Sequence, residues 1–326
     1  MTSMRMRELA VGCFGGGTGL PSVLGGLKRN PWVNVHAVVT MFDSGGSSGM
    51  LRDELGVLPP GDILKCALTL ARSEKDARRL LLSRLPTLEH RRLAGHTGGN
   101  LLLSMMAQHS GDFLAAVDGL RSLLGCRGHV WPITDQQSTI CAEYANGEST
   151  RGEVEVDAVQ AQGSAVTRLW LDPPVSIHPK VADMIRGLDA VVIGPGSFYT
   201  SLLPIFCVDG CREALREMRG PVVYVANLLT EGRGMQGFTA AMAVRQLEGA
   251  IGRPVDVVIH NSNPPGGPDG EVLTRYAREH KVPLPLGDMA ETCEVVDGRF
   301  WLGPIARHDR RRLRAAIWAV LAKHLL

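Results

Sequence analysis

The stretch Leu9-Ala-Val-Gly-Cys-Phe-Gly-Gly-Gly-Thr-Gly-Leu-Pro21 decides the fold. Leu9 to Phe14 is apolar or small throughout and does not alternate with polar residues, the mark of a strand buried on both faces. Five small residues follow, Gly15 to Gly19, and then a helical stretch from Pro21 to Lys28. Strand, glycine loop and helix open a βαβ unit. In that geometry loop amides and a helix N-terminus point into one space, so Gly16, Gly17, Thr18 and Gly19 are candidates for contact with a phosphate or ribose. The alternative is a tight turn that needs glycine only for packing. The spacing is neither G-x-x-x-x-G-K-S/T nor G-x-G-x-x-G, so the two commonest phosphate-loop registers are absent.

Working outward, Val33 to Phe42 reads as a second strand parallel to the first, with a glycine and serine loop, Ser44-Gly-Gly-Ser-Ser-Gly49, behind it. Asp43, Ser44, Gly46 and Ser47 are candidate ligand contacts there, and Asp43 alone is a candidate for a ribose hydroxyl or a magnesium ion, with a plain turn residue as its alternative reading. Asp62 stands near the start of a helix that runs to Ala71, where a carboxylate suits the cap. Lys65, one turn on, is either its solvated ion-pair partner or a phosphate contact. His96 and Asn100, spaced i,i+4 at the entry to an apolar helix, are ligand candidates, with a buried hydrogen-bond organiser as the alternative reading of His96. From Val130 to Leu171 the pattern turns to strands broken by Asn146-Gly147 and Gln162-Gly163. This predicts an antiparallel insertion at about 127–172 in a chain otherwise read as one domain, 1–326.

Ala190 to Ile193 reads as a central strand followed by Gly194-Pro-Gly-Ser-Phe-Tyr-Thr200. There Gly194, Gly196, Ser197 and Thr200 offer amides and hydroxyls to a diphosphate, and Tyr199 a ring to a base, with Phe198 and Tyr199 as core residues the alternative reading. Pro221 to Ala226 and Val255 to His260 read as strands, 263–270 as a surface loop, and Asp309 to Leu325 as a final helix. The alternation predicts an α/β fold: a doubly wound, mostly parallel sheet with helices on both faces, an antiparallel extension, and its ligand at the carboxyl ends of the strands. Exposed sheet edges make a homodimer an expectation.

Across the 326 residues, 35 Lys plus Arg oppose 33 Asp plus Glu, a net charge of +2 that gives no global attraction to nucleic acid or anionic membrane. The 7 cysteines are scattered without a C-x-x-C pair, against a disulfide framework or zinc ribbon. With no long apolar run and no signal-like N-terminus, a cytoplasmic protein is expected.

Phe14 to Leu20, Asp43 to Gly49, Gly56 to Ile63, Gly95 to Asn100, Ile193 to Ser201, Val225 to Thr230 and Ala306 to Asp309 together, in this order, resemble the CofD-like 2-phospho-L-lactate transferase superfamily, and within it the gluconeogenesis factors. The resemblance implies a Rossmann-like fold and, in that branch, binding of a UDP-sugar by a regulator of carbon metabolism and of cell wall and cell shape. It places Thr18, Arg307 and Tyr276 against the sugar nucleotide and Asn227 in a shared motif. The transferase branch implies a magnesium-dependent enzyme acting on a nucleoside-diphosphate-linked donor, with Asp43 and Asp62 as its catalytic candidates. The chain departs from the family at Asp43-Ser44, where an aspartate pair is usual, at Lys65, where an amide is usual, and at Ile205, where the branch has an asparagine near the ligand. A nicotinamide-dependent dehydrogenase is a third reading, weakened by the missing G-x-G-x-x-G.

Overall fold

The structure is a computed structural model that describes residues 7–85, 95–265, 270–301 and 303–326. Its main sheet has seven strands: β1 Leu9–Gly15, β2 Val33–Val39, β3 His129–Pro132, β7 Ala190–Ile193, β8 Val222–Val225, β9 Val257–Asn261 and β10 Glu294–Gly298. They lie in the order β10-β9-β8-β7-β1-β2-β3, and every neighbouring pair is parallel. The chain therefore builds outward from β1 in one direction, returns to β7 beside β1, and builds outward in the other. The switch point lies between β1 and β7, the central strands, whose residues are almost all buried because helices cover both faces.

The terminal helix Arg310–Leu325 shows how local chemistry and packing agree. Asp309 caps it by accepting the amides of Arg311 and Arg312 at 2.9 and 2.8 Å. Leu313, Ile317, Val320 and Leu321 form its buried stripe, which docks on the helix Leu20–Leu27.

A separate three-stranded antiparallel sheet, ordered β5-β4-β6, is built from β4 Thr139–Tyr144, β5 Ser149–Arg151 and β6 Val166–Asp172. Three expectations are corrected here. The insertion begins later than predicted, because β3 pairs in parallel with β2 at the edge of the main sheet. The run Glu153–Gln162 is a helix rather than strand. Val154 and Val156 mimic strand alternation, but Gly152 turns the chain at φ 109° and Glu153 and Glu155 favour the positive end of a helix. The expected loop at 44–49 is also largely helical, since a helix begins at Gly46 and runs to Leu55. Of the loop expected at 263–270, residues 266–269 lie outside the described residues.

Candidate functional site

β1, β7 and β8 end side by side, and the chain leaving them forms one wall of a cavity of about 440 Å³. This is the carboxyl edge of the sheet at its switch point, where open α/β sheets hold their ligands. The loop after β1 contributes Thr18 and Gly19, the loop after β7 Gly196 and Ser197, and the segment after β8 Asn227 and Glu231. Tyr276 and Arg307, from far along the chain, close the other side. The amides of Thr18 and Gly19 have no acceptor among the described residues, and they precede the helix Leu20–Leu27. With the exposed Thr18 hydroxyl and the Arg307 guanidinium they give the cavity donors and positive charge suited to phosphate oxygens.

Arg307 is aimed by its neighbours. His308 is buried, and burial lowers its pKa to about 4 even though a hydrogen bond to the Ala226 backbone opposes the shift, so it is a neutral anchor to the end of β8. Asp309 is the helix cap already described. The Tyr276 hydroxyl accepts the Ala306 amide at 3.0 Å, and its ring stands edge-on to buried Trp301, centroids 6.0 Å apart.

The loop after β7 is organised from within. Asn227 accepts from the Gly196 amide at 3.0 Å and donates to the Gly196 carbonyl at 2.8 Å and to Glu231 at 2.8 Å. Glu231 in turn accepts from the Phe198 amide at 2.9 Å and the Ser197 hydroxyl at 3.0 Å. Burial raises the Glu231 pKa to about 7 against the pull of those donors. The expected diphosphate cradle is therefore corrected: the Gly196 and Phe198 amides and the Ser197 hydroxyl are already engaged. Tyr199 is buried against Phe198 and Phe238, its hydroxyl accepting from Gln246 at 3.3 Å, so it offers no ring to a base. Thr200 is likewise buried, 2.6 Å from Ser197 Oγ and 3.2 Å from Asp157. Gly194 ties the loop to β1 by donating to the Phe14 carbonyl at 2.8 Å. Ile205 is a core residue outside the cavity lining, so an isoleucine there takes no hydrogen bond from this cavity.

Beside the cavity, beyond Gly16 and Gly17, lies an acidic shelf. The Asp62 carboxylate accepts the Gly17 amide at 2.5 Å on one oxygen and the Lys65 ammonium at 2.8 Å on the other. It thus supports the glycine loop instead of capping its own helix, which has no side-chain cap. Burial works to lower the Lys65 pKa, but Asp62, with Asp43 behind it, reverses the direction and the net shift is upward. Of the two readings of Lys65 the ion pair is the one formed, but it is half-buried rather than solvated, since the Asp62 side chain is only 7% exposed. Asp43 accepts the Gly45 amide at 2.8 Å. The Ser44 amide donates to Glu153 at 3.0 Å and the Ser44 hydroxyl accepts the Glu153 amide at 3.1 Å. Gly46, at φ 49°, starts the helix that carries Ser47.

Ser47, His96 and Asn100 meet one another rather than solvent. The Ser47 hydroxyl is 2.9 Å from His96 Nδ1 and accepts from the Asn100 amide at 3.1 Å. All three are buried. The organiser reading holds for His96, and the three side chains fix the start of the helix Gly46–Leu55 from beneath. The Asn100 carbonyl oxygen keeps no partner among the described residues.

With this geometry in place, comparison with known proteins identifies the lineage. The sequence pattern of the family described as 2-phospho-L-lactate transferase CofD matches residues 11–301. The chain belongs to this CofD family. Its relatives include the gluconeogenesis factor of Bacillus subtilis, 33% identical over 315 residues that cover 94% of this chain and 96% of that protein. The gluconeogenesis factor of Halalkalibacterium halodurans is 34% identical over 283 residues, covering 86% and 84%. A relative from Deinococcus radiodurans is 37% identical over 318 residues, and the chain spans 66% of its length. The crystal structure of a UPF0052 family member from Bacillus halodurans superposes with a TM-score of 0.87 at 32% identity, covering 96% of this chain and 99% of that one. The fold and family expected from the motifs are borne out. No helix among the described residues is long and apolar enough to cross a membrane.

Glu231 and Glu153 were not singled out from the sequence. Glu231 had a signal: with Asn227 it forms an i,i+4 polar pair directly after a buried strand. Glu153 had none, because its helix read as strand. Burial, then Asp43, raises the Glu153 pKa to about 8, so Glu153 is held toward its neutral form at neutral pH. An acid whose folded pKa is raised contributes stability that is full below its unfolded value and lost as pH rises through the folded one. From pH 5 to pH 8 the wild type is expected to lose about 2 kcal/mol relative to Glu153→Gln, at about 1.4 kcal/mol per pKa unit and with allowance for partial exposure. Urea unfolding of both proteins at pH 5, 6.5 and 8 measures this, and parallel pH dependences would contradict the raised Glu153 pKa.

Proposed function

We propose that this CofD-family protein binds a nucleotide sugar of the UDP-sugar class and acts as a regulator of carbon metabolism and cell-wall synthesis rather than as a transferase. The observation that carries the reading is that Thr18, Tyr276 and Arg307, the three residues the resemblance assigns to the sugar nucleotide, line one cavity of suitable size. Thr18 and its neighbouring amides would take phosphate oxygens, Arg307 would neutralise the diphosphate, and Tyr276 would present its ring edge beside the base or sugar. The names of the gluconeogenesis-factor relatives support the regulatory side of this proposal.

The magnesium-dependent alternative fits the residues poorly. A hard divalent cation needs several free, ionised oxygens. Here both Asp62 oxygens are taken by Gly17 and Lys65, Ser44 stands where a second aspartate is usual, and Glu153 is held toward its neutral form. We therefore propose binding that is independent of magnesium.

UDP-N-acetylglucosamine at 100 times its Kd is expected to stabilise the protein by about 2.7 kcal/mol, a rise of several degrees in Tm, with or without magnesium. Thr18→Ala and Arg307→Ala should each shrink the shift sharply while leaving the unliganded Tm nearly unchanged, since both side chains are exposed. A shift seen only with GDP and magnesium would replace this reading by the transferase, and one seen only with NADH by the dehydrogenase.

A further inference from the structure

A second cavity, of about 500 Å³, adjoins the first and shares Ile305, Arg307 and His308 with it. Its floor is Gly25 and Gly26 of the helix Leu20–Leu27, and its rim carries Arg29, Arg307, Arg310, Arg311 and Arg314. In a chain of net charge +2, five guanidinium groups around one concavity is a local concentration that composition does not account for.

Neighbouring acids neutralise little of this charge. Among the described residues Asp309 is the only carboxylate in the lining, and it is turned back onto the amides of Arg311 and Arg312. Glu74 reaches Arg310 at 2.9 Å from outside the cavity, but it is shared with Lys28 at 3.0 Å. Among the described residues, no carboxylate lies in ion-pair contact with Arg29, Arg307, Arg311 or Arg314. Arginine clusters on a solvated surface usually interleave with acids, whereas converging unpaired guanidinium groups repel one another unless an anion lies between them.

The glycine floor shows that the concavity is built by close packing. A Cβ at Gly25 would lie 2.7 Å from the Arg310 guanidinium, and one at Gly26 would lie 2.7 Å from the Arg310 carbonyl and 3.2 Å from Arg314 Cβ. The two glycines let the terminal helix settle onto its neighbour, which brings Arg310 and Arg314 into the same lining as Arg29.

We propose that this cavity is a second anion site, distinct from the nucleotide-sugar cavity and linked to it through Arg307, that takes a small phosphorylated molecule. The planar forks of several arginines match the oxygens of a phosphate or diphosphate group bidentately. The anion can be a separate effector or the phosphorylated end of a ligand reaching across from the first cavity; both present the same chemistry to these side chains.

The test uses pyrophosphate as probe and reads the shift in Tm that it produces, against potassium chloride at equal ionic strength. The proteins compared are the wild type, Arg29→Gln, Arg311→Gln and Thr18→Ala; the two arginines are exposed, so these variants keep the fold. Pyrophosphate is expected to raise the Tm of the wild type and of Thr18→Ala by several degrees, and that of either arginine variant by less than half as much. No shift beyond the chloride control, or a shift lost in Thr18→Ala but kept in both arginine variants, overturns the proposal. Repeating the titration with saturating UDP-N-acetylglucosamine separates the sources: additive shifts mean an independent effector, and mutual exclusion means one ligand spanning both cavities. The pyrophosphate arm needs no nucleotide, so it can fail or succeed whatever becomes of the UDP-sugar reading.

Discussion

Gly19→Ala is expected to abolish nucleotide-sugar binding and to destabilise the fold by about 3 kcal/mol, the upper end of what overpacking costs. A Cβ at this position would lie 1.9 Å from the Pro195 carbonyl oxygen and 3.0 Å from the Gly196 amide nitrogen. Both obstacles are backbone, so no side chain can swing aside. Neither loop can withdraw freely, because β1 and β7 are adjacent strands and Gly194 donates to Phe14 at 2.8 Å. Gly19 has φ −73°, an ordinary value for any residue, so the requirement is for space alone. The methyl group must separate the two loops whose contact forms the cavity wall. Urea unfolding gives the stability loss and calorimetric titration with UDP-N-acetylglucosamine gives the binding loss; a variant that binds within twofold of wild type would show that the contact is dispensable.

Glu231→Ala is the second large expected effect, a loss of about 3 kcal/mol together with at least tenfold weaker binding. Removing the carboxylate strips partners from the Phe198 amide, the Ser197 hydroxyl and the Asn227 amide at once, and each buried donor left unsatisfied costs about 1–3 kcal/mol. Water entering the partly exposed gap recovers some of the sum. Glu231→Gln should lose about 1 kcal/mol, because its carbonyl still accepts the Phe198 amide while its NH₂ group meets donors. Equal losses for the two variants would mean that the carboxylate acts through bulk rather than through acceptance. The binding loss follows because Asn227, which clamps Gly196 on both sides, is itself held by Glu231.

The alternation of strands and helices, and the glycine loop behind the first strand, were legible because they follow from local chemistry: a continuous apolar run has one stable use in a parallel sheet, and glycines after it have few. The helix Glu153–Gln162 was not, because Val154 and Val156 carry strand propensity and only the tertiary position of Gly152 overrides it. β10 went unread for a related reason, as an edge strand with one neighbour keeps little of the buried apolar signature. Within the site, Thr18, Asn227, Tyr276 and Arg307 could be found through motif resemblance, while no resemblance reported that Tyr199 turns inward. A tyrosine after a glycine loop reads the same whether its ring faces a ligand or Phe238, and the choice rests on the space those neighbours leave.

The cavity joins Thr18, near the first strand, to Arg307, just ahead of the last helix, and no contiguous half of the chain contains both walls. A partly folded chain with β1, β2 and their connecting helix would own the glycine loop but lack the guanidinium and the tyrosine. Ligand present during refolding should therefore leave the early collapse rate unchanged and slow only global unfolding, so the bound molecule acts as a latch on the finished topology and not as a template for reaching it.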